Sequence, residues 1–149
     1  MSFSVTPLVS ASIDTGALRH NLQIIRARAP KSRVMAVIKA NAYGHGLISV
    51  ARALDTADAF AVARVDEGLA LRAAGIQNSV VLLEGIFDND QLDAAAAANF
   101  EIVVHAAEQI ELLRATRKPH RFKVWLKLDT GMNRLGFKGA QYLAAHAHE

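Results

Sequence analysis

One lysine is placed where an α/β protein can use its amine for chemistry. Lys39 directly follows residues 34–38, a continuous apolar run bounded by charge that is typical of a buried parallel strand. The carboxyl end of such a strand is where α/β folds place catalytic and cofactor groups. Burial there favours the neutral amine, which is the form that attacks an aldehyde. A lysine that only caps the strand and points into solvent fits the same spacing.

The loop after this lysine has residue types that suit a bulky or anionic ligand. Gly44 and Gly46 permit close approach of the backbone to a ligand, and Tyr43 offers a hydroxyl that can bond a phosphate. The loop has the glycine pattern of neither a P-loop nor a dinucleotide-binding fold. For His45, support of the neighbouring backbone and proton handling are both open.

Taken whole, residues 36–46, AVIKANAYGHG, resemble the cofactor-lysine motif of alanine racemases. These are pyridoxal-phosphate enzymes built from a barrel and a second, β-rich domain. A second match, KLDTGMNRLGF at residues 127–137, resembles the family's loop that carries an arginine beside the cofactor. The resemblance implies that residues 1–149 are the N-terminal portion of the cofactor-binding barrel and that the C-terminal β-rich domain is absent.

The resemblance also implies a role for individual residues. Lys39 would form the Schiff base with pyridoxal 5′-phosphate and act as one of two bases on the substrate Cα. Tyr43 would help to hold the phosphate, and Arg134 would bond the cofactor's phenolic oxygen close to the substrate carboxylate. Lys127 matches a position that is carbamylated in many members, where the anionic carbamate braces the arginine. An unmodified strand lysine is the alternative for Lys127.

The implied activity is the interconversion of L-alanine and D-alanine, which supplies D-alanine for peptidoglycan in the bacterial cytosol. In the family, the opposite base is a tyrosine from the second domain of the partner subunit in a homodimer. The tyrosines of this chain are Tyr43 and Tyr142, so we expect the chain alone to be inactive. Two alternatives stay open: a related pyridoxal-phosphate enzyme (a broad-specificity amino-acid racemase or a decarboxylase), and a non-catalytic barrel fragment.

The elements that must position these residues alternate along the chain. Short apolar runs predict buried strands at residues 34–38, 59–63, 80–83, 102–104 and 122–128, and residues 7–13 predict a half-exposed strand. A helix is predicted after an N-cap at Asp14 or Thr15, with Leu18, Leu22 and Ile25 on one face and its end at Pro30. Further helices are predicted at residues 47–54, 66–74 (closed by Gly75 in a left-handed cap), 88–98, 106–117 and from 139 onward. We expect core packing for Trp125.

This alternation of strands and helices predicts an α/β fold with parallel strands. An open doubly wound sheet and part of a (β/α)8 barrel both fit the periodicity, and the resemblance selects a partial TIM-type barrel of about the first five strand–helix units. A complete barrel of eight strands needs ~250 residues. We therefore expect the 149 residues to be only part of one.

Composition excludes several classes of protein. The 149 residues contain no cysteine, which excludes disulfides and cysteine-ligated metals, and a formal net charge of +3 is too small to indicate nucleic-acid binding. No apolar run approaches the ~18 residues of a membrane span, and no signal peptide is evident. We expect a cytoplasmic protein, and no metal site among its six histidines.

Overall fold

The computed structural model describes residues 9–116 and 119–139, in which five parallel strands alternate with helices. The strands are β1 (Met35–Val37), β2 (Ala59–Val62), β3 (Ser79–Leu82), β4 (Glu101–Val104) and β5 (Val124–Leu126). The helical segments are α1 (Thr15–Arg28), α2 (Lys39–Tyr43), α3 (Leu47–Ala53), α4 (Val65–Ala73), α5 (Asn89–Ala97) and α6 (Ala107–Ala115).

Strand order separates the two architectures that the periodicity left open. The strands lie side by side in chain order, β1-β2-β3-β4-β5, and each pairs in parallel with the next. A doubly wound sheet reverses its strand order at a switch point, whereas a barrel wall does not. The fold is therefore α/β and represents part of a (β/α)8 barrel, as predicted.

The two faces of the sheet carry different amounts of apolar packing. Against the helices lies the larger core, which includes Phe60, Leu82 and Ile102, all fully buried. The opposite, concave face has a small cluster of Ala61, Val81 and Val103. Burial against the helices therefore holds the sheet together, and the concave face stays comparatively open.

Several helix ends follow the predicted signals. Asp14 caps α1 by accepting hydrogen bonds from the backbone N–H of Gly16 at 2.8 Å and Ala17 at 3.0 Å. The helix ends at Arg28, before Pro30. Gly75, with φ of +80°, ends α4 in the left-handed conformation expected of a C-terminal cap.

Three expectations about the sheet and its first helix are wrong. Residues 9–13 form no strand, because no neighbouring strand pairs with them in the described part, and Val9 is 87% exposed. Ile25, expected on the packed face of α1, is half exposed. β1 is not buried on both faces: it is an outer strand of the described sheet, and Val37 on its concave side is 42% exposed.

Other predicted elements lie on residues outside the described ranges. These are residues 7 and 8 of the first predicted strand, residue 117 of the fifth predicted helix and the helix from residue 139 onward beyond its first residue. In the described ranges, no helix has the length and hydropathy to cross a membrane. Nor do three or more metal-ligating side chains cluster within those ranges.

Candidate functional site

The carboxyl edge of the sheet carries all four residues singled out from the sequence. Lys39 and Tyr43 follow β1, while Lys127 and Arg134 follow β5. Parallel strands bring these loops to the same edge, with β2, β3 and β4 between them. No hydrogen bond or ion pair joins the four side chains to one another in the described part of the chain.

The loop after Lys39 has a backbone conformation that sequence patterns did not predict. Four consecutive residues, Ala40 to Tyr43, have φ between +53° and +54°, so α2 winds left-handed after its first residue. For L-residues this conformation costs roughly 1–2 kcal/mol each. Such strain persists only where surrounding contacts enforce it, and it clusters at functional sites.

Hydrogen bonds within the loop support the left-handed turn. The Ala42 N–H donates to Ile38 O at 2.8 Å, and the Gly46 N–H donates to Asn41 O at 2.9 Å. The side-chain Oδ1 of Asn41 accepts from the Leu47 N–H at 2.8 Å, which joins the turn to the start of α3. The loop is thus tied to both the strand before it and the helix after it.

The sequence left two roles open for His45, backbone support and proton handling, and the structure shows backbone support. Its Nδ1 lies 3.0 Å from both the carbonyl oxygen of Ala42 and that of Tyr43, so the ring donates to this pair of carbonyls. This contact uses the proton of Nδ1 to satisfy the end of the left-handed turn. Gly44, with φ of +83°, continues the same backbone hand without a Cβ penalty.

The loop that carries Arg134 is closed at its base by backbone pairing. The Phe137 N–H donates to Lys127 O and the Asp129 N–H donates to Phe137 O, both at 2.9 Å. Phe137 is 6% exposed and anchors this closure in the core. The closure leaves Arg134 exposed at the carboxyl edge of the sheet.

Asp129 orders the first half of this loop. Its Oδ1 accepts from the backbone N–H groups of Gly131 and Asn133, both at 3.0 Å. These two bonds hold the pKa of the Asp129 carboxyl below its ordinary value, because they stabilise the charged form. Asp129 was not among the residues predicted for the site, although an aspartate two residues before a glycine is a known turn signal.

A buried acid lies on the concave face at the other end of the sheet. Glu101 accepts from Lys123 Nζ at 2.8 Å and from the indole N–H of Trp125 at 2.6 Å. Burial by itself raises the pKa of Glu101, but the hydrogen bonds from Lys123 and Trp125 outweigh it and lower that pKa. The predicted core packing of Trp125 is wrong: the residue is 43% exposed on the open concave face, where its indole N–H binds Glu101.

Exposure distinguishes the four predicted residues. Lys39 and Lys127 are half-buried, Tyr43 is 59% exposed and Arg134 is exposed. Lys39 and Arg134 have no carboxylate partner within residues 9–116 and 119–139. The edge therefore presents positive charge and a phenol hydroxyl that are free to meet an anionic ligand.

Comparison with known proteins identifies the family of this chain. Residues 13–148 match the family model described as alanine racemase, N-terminal domain. The alanine racemase of Nitrosococcus oceani is 56% identical over 127 residues, which are 85% of this chain and 36% of that protein. The chain thus spans about a third of the length of this curated relative.

Solved structures give the same result. The biosynthetic alanine racemase of Pseudomonas aeruginosa superposes with a TM-score of 0.87 at 42% identity, over 91% of this chain and 38% of that one. A histidine racemase from Leuconostoc mesenteroides superposes with a TM-score of 0.77 at 36% identity, over 89% of this chain and 37% of that one. Because the family model covers nearly all of the sequence, the chain belongs to the alanine racemase family, in the part that forms its N-terminal domain.

Proposed function

We propose that this chain is the cofactor-binding barrel part of a pyridoxal-phosphate-dependent racemase that interconverts L-alanine and D-alanine. The observation that carries the proposal is Lys39, half-buried at the carboxyl end of β1 and followed by four residues held in left-handed strain. Backbone strain that neighbouring contacts maintain directly after Lys39 indicates that the position of the Lys39 amine matters.

The residues at this edge fit pyridoxal phosphate by their chemistry. The aldehyde of the cofactor requires a primary amine, which Lys39 supplies. Its phosphate and phenolic oxygen are anionic, and they suit the Tyr43 hydroxyl and the Arg134 guanidinium. The cations at the site have no carboxylate partner in the described residues, so an anionic ligand can provide the missing countercharge.

Each residue has one task in the proposed reaction. The bound cofactor supplies an electron sink that makes the substrate Cα–H acidic enough to be removed near neutral pH. The Lys39 amine takes or returns the Cα proton on one face, Tyr43 helps to hold the phosphate, and Arg134 orients the phenolic oxygen and the substrate carboxylate. A carbamate on Lys127 would brace Arg134 through an ion pair.

The whole protein must supply what these residues lack. Inversion at Cα needs a second base on the opposite face, and we propose that it comes from a second domain of the partner subunit in a homodimer. On this basis the chain alone is inactive. The family further supports a cytoplasmic enzyme that provides D-alanine for peptidoglycan.

A wider substrate range is the second candidate. The structural similarity to a histidine racemase favours it, because the same N-terminal fold accompanies a different side chain there. Measuring racemisation of alanine and histidine by the complete protein separates the two: comparable turnover of both amino acids would support the wider range, whereas turnover of alanine alone would contradict it.

Covalent labelling of the chain tests the proposal directly. The polypeptide is incubated with pyridoxal phosphate and reduced with borohydride, and the modified peptide is identified by mass spectrometry. We expect one dominant adduct, on Lys39. Replacement of Lys39 by alanine should remove that adduct, whereas replacement of Lys31, an exposed lysine after α1, should not.

Activity gives the second arm of this test. In the complete protein, Lys39→Ala should lower racemisation by at least ~100-fold, the lower end of what a general acid–base group contributes. Adducts scattered over surface lysines, or racemisation that survives Lys39→Ala, would contradict the role given to this lysine.

A further inference from the structure

One carboxylate joins the loop after β1 to the loop after β2. Glu67 lies in the first turn of α4, and its two oxygens accept from different backbone amides. Oε1 accepts from the Ala40 N–H at 2.6 Å, and Oε2 accepts from the Ala63 N–H at 2.7 Å. Ala40 is the residue that directly follows Lys39, and Ala63 directly follows β2.

Helix capping accounts for only one of these two bonds. A glutamate in the first turn often reaches back to a backbone N–H just before the helix, as Glu67 does with Ala63. The bond to Ala40 crosses 27 residues of sequence and does nothing for α4. It acts on the loop that carries Lys39.

The bonded amide is the first of the left-handed turn. Ala40 has φ of +53° and begins the four strained residues. A hydrogen bond to a charged group is about twice as strong as one between neutral groups, and its contribution is comparable with the cost of one left-handed L-residue. The bond from Glu67 is therefore large enough to hold the first strained residue in place.

We propose that Glu67 is a positioning residue for Lys39: its carboxylate clamps the left-handed turn to the end of β2 and so fixes where the Lys39 amine points. Glu67 acts through the backbone and touches no ligand in this scheme. The proposal rests on the proposed function, because the position of the Lys39 amine matters only if that amine reacts. The two hydrogen bonds from backbone amides to Glu67 do not depend on that function.

Two variants of Glu67 and one control separate the clamp from other effects. Glu67→Gln keeps the size but has a single acceptor oxygen, so it can hold only one amide. Glu67→Asp keeps the charge near the helix end but is one methylene too short to span both. Asp66→Asn removes a neighbouring carboxylate that is exposed and bound to Arg64.

The first measurement follows the Ala40 amide by hydrogen exchange in this chain, without cofactor. We expect exchange at Ala40 to accelerate by ~10-fold or more in Glu67→Gln and Glu67→Asp, since the loss of one hydrogen bond to a charged group is worth about 1.4 kcal/mol or more, which corresponds to a factor of ten. Amides of β3 should stay protected, which shows that the variants fold. Unchanged exchange at Ala40 in a folded variant overturns the clamp.

The second measurement is the selectivity of pyridoxal-phosphate labelling, expressed as adduct on Lys39 relative to adduct on surface lysines. Both Glu67 variants should lose most of this selectivity, and Asp66→Asn should keep it. In the complete protein, kcat should fall while KM for alanine changes little, because Glu67 orients the amine and does not bind substrate.

The failures of the two proposals are distinguishable. If the unmodified chain gives no preferred adduct on Lys39, the proposed function fails, and with it the purpose of the clamp. If the unmodified chain labels Lys39 and the Glu67 variants label it equally well, only the role of Glu67 is overturned.

Discussion

At Arg134, the planar shape of the guanidinium should matter more for cofactor binding than its charge. It is exposed at the carboxyl edge with no carboxylate partner in the described ranges, and a guanidinium can bind two anionic oxygens side by side. Arg134→Lys keeps the charge but loses the planar fork. We expect cofactor retention and turnover of the complete protein to fall by ~10-fold or more, the loss of about one charged hydrogen bond. If the variant lost cofactor during dialysis as slowly as the unmodified protein and kept the same kcat, bidentate binding would be contradicted.

Single residues also show how far sequence reasoning reaches. Lys39, Tyr43 and Arg134 could be selected because each stands in a contiguous motif. Glu67 could not, because the amide that it binds belongs to a residue 27 positions earlier, and only the fold brings the two together. Its side chain looks in sequence like an ordinary acid in the first turn of a helix.

Among the elements, the loop from Asp129 to Phe137 depends on a glycine that has no room for a side chain. Gly136 has φ of +122°, and a Cβ there would lie 2.7 Å from Asp129 N. Gly131, in the same loop, has φ of +124° but no atom within 4 Å of its Cβ position. The two glycines have nearly the same φ and differ in the space around the Cβ position.

Alanine at these two positions therefore separates a steric clash from backbone strain. Gly136→Ala should open the pairing between Asp129 and Phe137 and speed exchange of both amides, at a cost of roughly 1–3 kcal/mol for strain plus the clash. Gly131→Ala should carry only the strain. Equal effects of the two substitutions on exchange and on cofactor retention would show that the close approach at Gly136 does not matter.

The elements were predicted best where local signals and burial agree. The structure has the predicted helix caps at Asp14 and Gly75. It also has the predicted strands β2, β3 and β4, because each of them has a neighbouring strand on both sides. Errors lie where tertiary context decides: β1 has one neighbour, residues 9–13 have none in the described part, and Trp125 faces the open side. The left-handed turn of α2 carried no signal, since L-residues so rarely adopt it.

At the scale of the whole molecule, three carboxylates hold strands, a helix or a loop in place and share one electrostatic feature. Asp58 accepts from the Val34 N–H at 2.7 Å and pairs with Arg26 of α1. Glu101 accepts from the side chains of Lys123 and Trp125. Asp129 orders the loop that carries Arg134. Hydrogen bonding lowers the pKa of all three carboxyls in the folded protein.

This common direction predicts the pH dependence of folding. A carboxyl with a lower pKa in the folded state contributes stability that is fully present above its unfolded pKa and is lost as the pH falls through the folded pKa. The ordinary values are 3.8 for Asp58 and Asp129 and 4.5 for Glu101. The free energy of unfolding should therefore be steady from neutral pH to about pH 5 and decline below it.

Glu101→Gln isolates one part of that decline and has an optical readout. Trp125, the one tryptophan of the chain, donates to Glu101, so its fluorescence reports on this contact. We expect the variant to lose about 1 kcal/mol at pH 7 and to show a smaller further loss on acidification than the unmodified chain. Glu111→Gln is the control, since Glu111 is 71% exposed in a surface pair with Arg114. If urea unfolding followed by tryptophan emission gave Glu101→Gln the same acid dependence as Glu111→Gln, the charge of Glu101 would not contribute to folding.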